Sequence, residues 1–174
     1  MKITGRNIKR RLAEWGYRPS DIKRARYWRG HGVHSPFVYN IVRQVFMCKE
    51  LKHDNRELYD RLKAEEIPSK RCVQLQNLLH HCGYTSFGID CDAETVKRVD
   101  MAIITTKVAA DALPSLAMAA KQCGTTLCIL APAFGRERRA VCGALVEAHT
   151  CTSIDNRGYL LLLNNHLPKQ KFRL

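Results

Sequence analysis

A change of hydrophobic period near Gly83 constrains this chain more than any other feature. Beyond it, five apolar runs (84–90, 101–106, 125–131, 151–155 and 158–164) have the length of strands. Segments 108–122 and 135–149 carry apolar residues at helical spacing between them. Strands alternating with helices build a parallel sheet, because parallel neighbours need a crossover long enough to bring the chain back. The last two runs are separated only by Asn156 and Arg157 before Gly158, so they close as an antiparallel hairpin. The expected fold class is α/β: N-terminal helices packed on a truncated Rossmann-like, mostly parallel sheet of about five strands that ends in this hairpin.

The chain before Gly83 reads as helices. Ile8, Leu12 and Trp15 recur at i, i+4 and i+7 until Gly16 and Pro19 stop the pattern. A second short helix starts at Ser20 and carries Ile22, Ala25 and Trp28. Ser35-Pro36 marks a third start, since serine caps free amides and proline is tolerated at the first helical position. That helix should bury Phe37, Val38, Ile41, Val42 and Val45. Asp54 and Ser69 are candidate caps for two more, the second running through Val73, Leu75, Leu78 and Leu79 to Gly83. No repeat or low-complexity linker interrupts the 174 residues, which read as a single domain (1–174) with a helical part, 1–83, and an α/β part, 84–174.

No apolar run approaches the roughly 20 residues of a membrane span, and the longest is Tyr159-Leu160-Leu161-Leu162-Leu163. The basic N-terminus lacks the apolar core and cleavage site of a signal peptide, so the expected location is cytoplasmic. Eight cysteines occur without a C-x-x-C pair, which removes the commonest zinc and redox spacings. They read as small buried hydrophobes in a reducing compartment. The net charge of +13 is concentrated: ten Lys and Arg residues precede residue 30, opposed only by Glu14 and Asp21. A second group is Lys169, Lys171 and Arg173. Such a field attracts nucleic acid, another polyanion or an acidic protein partner; the alternative is a solvated helix face.

The segment Arg29-Gly30-His31-Gly32-Val33-His34-Ser35-Pro36-Phe37-Val38-Tyr39 resembles the N-terminal signature of a family of class I S-adenosylmethionine-dependent methyltransferases of Bacteroidetes-type bacteria. Residues 151–155, 158–161 and 169–174 resemble that family's final hairpin and tail, and 74–79 resembles the helix before its first strand. The resemblance covers about a third of the chain and fails at the cofactor. Where the family has a glycine-rich turn, Thr85-Ser86-Phe87-Gly88-Ile89-Asp90 leads directly into Cys91-Asp92-Ala93-Glu94, with one glycine inside the strand and none in the turn. The interval between Asp90 and Asp100 is too short for the second strand and its ribose-binding acid. The position of a later acidic pair reads Leu130-Ala131-Pro132-Ala133-Phe134.

The resemblance with these losses implies a shortened relative without catalytic residues or cofactor, serving as a binding or regulatory module. A second reading is a minimal enzyme that binds S-adenosylmethionine through an altered pocket near Asp90, Asp92 and Thr105. A third is a nucleic-acid or anionic-surface binder that uses the basic N-terminal helices. Losing strands would leave 84–90 at a sheet edge, to be covered by the N-terminal helices or by a second copy in a homodimer.

Arg29, His31, His34 and the helix start at Ser35 together suggest a site for an anion or a partner, with Gly30 and Gly32 forming a tight turn. Arg136 opens a helix directly after a strand, where an anion also fits; Arg138 and Arg139 follow it, and the alternative is a solvated first turn. His80, His81, Cys82 and Cys91 are the densest soft ligands, yet adjacent histidines on a helix point about 100° apart, and no metal site is expected.

Overall fold

The computed structural model describes residues 33–165 and 167–174, which form two compact units, 33–87 and 88–174. The two helices expected before residue 29, the basic cluster they carry, Arg29 and His31 lie outside the described residues.

In the first unit, α1 spans Pro36–Ile41 and continues through Val42–Phe46 as a wider turn, with the Met47 amide donating to the Val42 carbonyl at 3.0 Å. Ser35 caps it as expected, its hydroxyl accepting from the Val38 amide at 3.4 Å. Val38, Ile41, Val42 and Val45 are fully buried, whereas Phe37 is half-buried. Helix α2 is Glu57–Ala64 and α3 is Ser69–His81. Neither expected cap acts as one. Asn55, not Asp54, accepts from the Glu57 amide at 3.0 Å, and Ser69 lies inside its helix, its hydroxyl meeting Lys63 Nζ at 3.1 Å.

The amides of α3 are buried and hold the irregular chain before α2. Gln74 Nε2 donates to the Phe46 carbonyl at 2.7 Å, and Asn77 takes the Lys52 amide at 3.1 Å while donating to the Glu50 carbonyl at 2.9 Å. Gln76 Oε1 accepts from the Tyr59 amide at 2.9 Å. Buried polar groups are stable only with such partners, which makes these side chains structural.

The second unit is a Rossmann-like α/β layer on a mixed six-stranded sheet of order β1-β2-β3-β5-β4-β6. The strands are β1 (Phe87–Ile89), β2 (Met101–Ile104), β3 (Thr126–Leu130), β4 (Thr152–Asp155), β5 (Tyr159–Leu162) and β6 (Gln170–Arg173). Strands β2 and β3 are parallel, as are β4 and β6, and β5 runs antiparallel between β3 and β4. The hairpin turns at Arg157, with φ of 55°, while Asp155 Oδ1 accepts its amide at 3.0 Å. Strand β1 lies at the expected edge. The expected five strands become six, because the closing basic segment pairs with β4.

The helices here are α4 (Ala93–Val96), α5 (Leu113–Cys123) and α6 (Arg136–Ala148). Register places Ala102, Leu127 and Leu162 in one row and Ile104, Ile129 and Leu160 in the next, on one face. Val96, Leu113, Leu116, Ala120 and Cys142 close over these rows as one core. The opposite face carries Ile103, Cys128, Leu161 and Ile154, all fully buried, so the strands read as continuous apolar runs rather than alternating ones. Gly124 ends α5 in the left-handed region, φ 76°, where glycine is free of side-chain strain. No helix among the described residues is long and apolar enough to cross a membrane.

Gly88 is required by its neighbour. A Cβ there would stand 2.8 Å from Cys91 Sγ and 3.5 Å from Cys91 Cβ. Gly88→Ala is therefore expected to cost about 1–3 kcal/mol by overpacking, and Cys91→Ala in the same chain should restore most of it. Denaturant unfolding of the two single variants and the double variant measures this coupling.

His149, just beyond α6, is 7 % exposed and its Nε2 donates to the Leu163 carbonyl at 3.2 Å. Burial holds its pKa below the ordinary 6.5, and burial lowers that of His81 as well. The unfolded rings therefore take up protons that the folded rings resist, so stability present above about 6.5 is lost as the pH falls through that value. Unfolding free energy should drop between pH 7 and pH 5, and His149→Gln should flatten that slope.

Candidate functional site

The carboxyl ends of β1, β2 and β3 meet around two buried or half-buried charges. Asp90 follows β1 with φ of 50°, and its amide donates to the Ile103 carbonyl at 2.9 Å. Its carboxylate takes the Thr105 amide on Oδ1 and the Thr105 hydroxyl on Oδ2, both at 2.6 Å. Asp92 caps α4 by accepting the Thr95 amide at 2.8 Å, and this bond holds its carboxyl below the ordinary range. Thus the structure joins Asp90 to Thr105 and turns Asp92 toward its own helix. All three secure the turn after β1, and the space beside Gly88 is filled by the Cys91 sulfur.

Arg138 is the second charge. It is 4 % exposed, although its neighbours Arg136, Glu137 and Arg139 in the first turns of α6 are solvated. Its Nη1 donates to the Val108 carbonyl at 2.9 Å, and its Nη2 reaches the carbonyls of Thr105 at 2.9 Å, Leu130 at 3.2 Å and Ile104 at 3.4 Å. Its Nε is buried without a partner among the described residues. Desolvation lowers its pKa, while the nearby Cys142 and Asp90 act in the opposite sense. The solvated-turn alternative is therefore corrected at Arg138, whereas Arg136 is exposed. In the first unit, Ser35 is committed to its helix and His34 is exposed.

A cavity of about 380 Å³ opens elsewhere in the second unit, between α6 and the β4–β6 side of the sheet. From α6 it is lined by Arg139, Cys142, Gly143, Val146 and Glu147, a stripe at i, i+3, i+4, i+7 and i+8. Register brings Ser153 opposite Lys171 and Asp155 opposite both Leu160 and Arg173, and all five line its sheet side. Gly143 stands on this lining stripe, and a Cβ there would meet nothing within 4 Å.

The charges around this cavity are unequal. Glu147 is ion-paired with Lys171, which holds its carboxyl below the ordinary range, and the Glu147 carbonyl accepts Lys169 Nζ at 2.7 Å. Arg157 Nε donates to the Leu174 carbonyl at 3.3 Å. Arg139 and Arg173 are exposed, and among the described residues neither side chain has a hydrogen bond or salt bridge, although the Arg173 charge adds to that of Lys171 in holding the Glu147 carboxyl down. Sequence reasoning missed this site. Its only signals were the helical spacing of Arg139, Gly143 and Val146 and the alternation of Lys171 and Arg173; the strand pairing that joins them is not written in either.

The eight cysteines are free thiols, and burial pushes those of Cys72, Cys82 and Cys142 up to about 11, far from the reactive range. His80 packs on His53, ring centroids 4.5 Å apart, and its Nε2 lies 2.8 Å from Gln76 Nε2. No three His, Cys, Asp or Glu side chains converge on a metal position among the described residues.

Replacing Arg138 by Met should lower unfolding free energy by about 3 kcal/mol or more, because it leaves four strand-end and loop carbonyls without their donor. Gly143→Ala should raise it by about 0.5–1 kcal/mol, since the helix gains propensity and the methyl meets no neighbour. Chemical denaturation at neutral pH reads both. No protein-family model, curated protein or solved structure matches this chain.

Proposed function

We propose that this chain is a methyltransferase-like scaffold that serves as a binding module and has no transfer chemistry of its own. One observation carries the reading: both carboxylate oxygens of Asp90 accept from Thr105, and the Cys91 sulfur lies 2.8 Å from where a Cβ on Gly88 would sit. S-adenosylmethionine needs a backbone that approaches it closely after the first strand and an acid free to take its ribose hydroxyls. Asp90 and Thr105 spend their polar side-chain atoms on each other and on the turn, and Asp92 caps α4 through Oδ1, which fits that need poorly. The strand order supports the proposed ancestry, with the reversed β5 inserted between β3 and β4.

Calorimetric titration with S-adenosylmethionine and S-adenosylhomocysteine tests this. No saturable heat is expected up to about 1 mM ligand; saturation near micromolar, about 8 kcal/mol of binding free energy, would sink the proposal.

A further inference from the structure

We infer that the cavity between α6 and strands β4–β6 is a binding site for a small organic anion: a phosphate or carboxylate carried on a flat apolar body. The inference gives the proposed binding role a place and a ligand class. Three observations lead to it. The cavity, at about 380 Å³, has the size of small-ligand sites. Its apolar lining comes from Val146, Leu160 and Phe172 together with Pro132 and Cys142, which suits a ring or short alkyl body. Its charged lining is four cations against Glu147 and Asp155.

The cations are not equivalent. Lys171 is neutralised by Glu147, and Arg157 reaches the Leu174 carbonyl. Arg139, from the second turn of α6, and Arg173, from the end of β6, line the same cavity and keep their guanidinium donors for solvent or a ligand. A guanidinium binds planar oxyanions with two parallel donors, so two of them select phosphate or carboxylate over a neutral group. Gly143 completes the argument. Glycine weakens a helix, yet it occurs mid-helix where any side chain would enter the cavity.

The test uses 1-naphthyl phosphate as the probe, with 1-naphthol and inorganic phosphate as its separated halves, titrated calorimetrically into the whole chain. One naphthyl phosphate should bind per chain, with each half binding at least about tenfold more weakly and with affinity falling as salt rises. Gly143→Leu, which fills the cavity and favours helix, should abolish binding while circular dichroism and thermal unfolding stay native. Arg139→Gln with Arg173→Gln, both at exposed positions, should weaken it at least about tenfold and decides the matter should the first variant not fold.

Absence of saturable binding to the unsubstituted protein overturns the inference, and so does wild-type affinity in folded Gly143→Leu or in the double variant. The same variants separate this inference from the proposed function. S-adenosylmethionine binding that survives Gly143→Leu refutes the scaffold reading alone, whereas loss of naphthyl phosphate binding to the unsubstituted protein refutes this site alone.

Discussion

The guanidinium of Arg138 holds together elements that the hydrophobic core alone would leave loosely related. Its donors reach carbonyls at the ends of β2 and β3 and in the segment leading to α5, all from one side chain in the first turn of α6. Strand ends expose carbonyls with no ladder partner, and a buried carbonyl without a donor is costly. A neutral donor satisfies one or two of them, whereas a guanidinium spans several at once. The arrangement fixes where α6 begins, and through that the angle at which its outer stripe stands over β4 and β6. Asp90, anchored by Thr105 at the neighbouring strand end, supplies the compensating negative charge.

Helix α6 thereby divides its basic first turns between two tasks. Arg138 turns inward with Leu145 toward the core, Arg139 and Gly143 stand on the cavity side, and Cys142 and Val146 between them touch both. Adjacent positions on a helix differ by about 100°, so consecutive arginines meet opposite environments from identical chemistry. Burial strips one of its water and converts it to scaffold; the other keeps its charge for whatever enters from solvent.

Much of the fold was legible because period and length are local properties. The runs at 101–106, 125–131 and 158–164 each contain a strand, 108–122 contains α5 but for Cys123, and 135–149 contains α6. The four residues of α4 and the strand β6 were not legible. A single helical turn has too few positions to show a period, and Gln170-Lys171-Phe172-Arg173 is polar enough to pass for a solvated tail. Its partner β4 is what makes it a strand. Side-chain roles were the least legible. Arg138 sits between two solvated arginines, and nothing in Arg136-Glu137-Arg138-Arg139 distinguishes the buried one. Asp90, Asp92 and Thr105 were expected near one pocket; that Asp90 and Thr105 bond each other depends on distances no sequence contains. The anion site expected at Arg29 and His31 lies outside the described residues.

The amide ladder of α3 has a consequence for how the first unit comes apart. Residues 47–56 form no regular element, yet the Lys52 amide and the Glu50 carbonyl are bonded to Asn77, 25 and 27 positions away, and the Phe46 carbonyl just before them to Gln74. Local opening of such a loop cannot proceed by fraying, since freeing it exposes buried amides of a helix that is otherwise intact. The irregular segment is therefore tied to α3 at these points, and its opening there is coupled to that of the helix although its residues are exposed or half-buried.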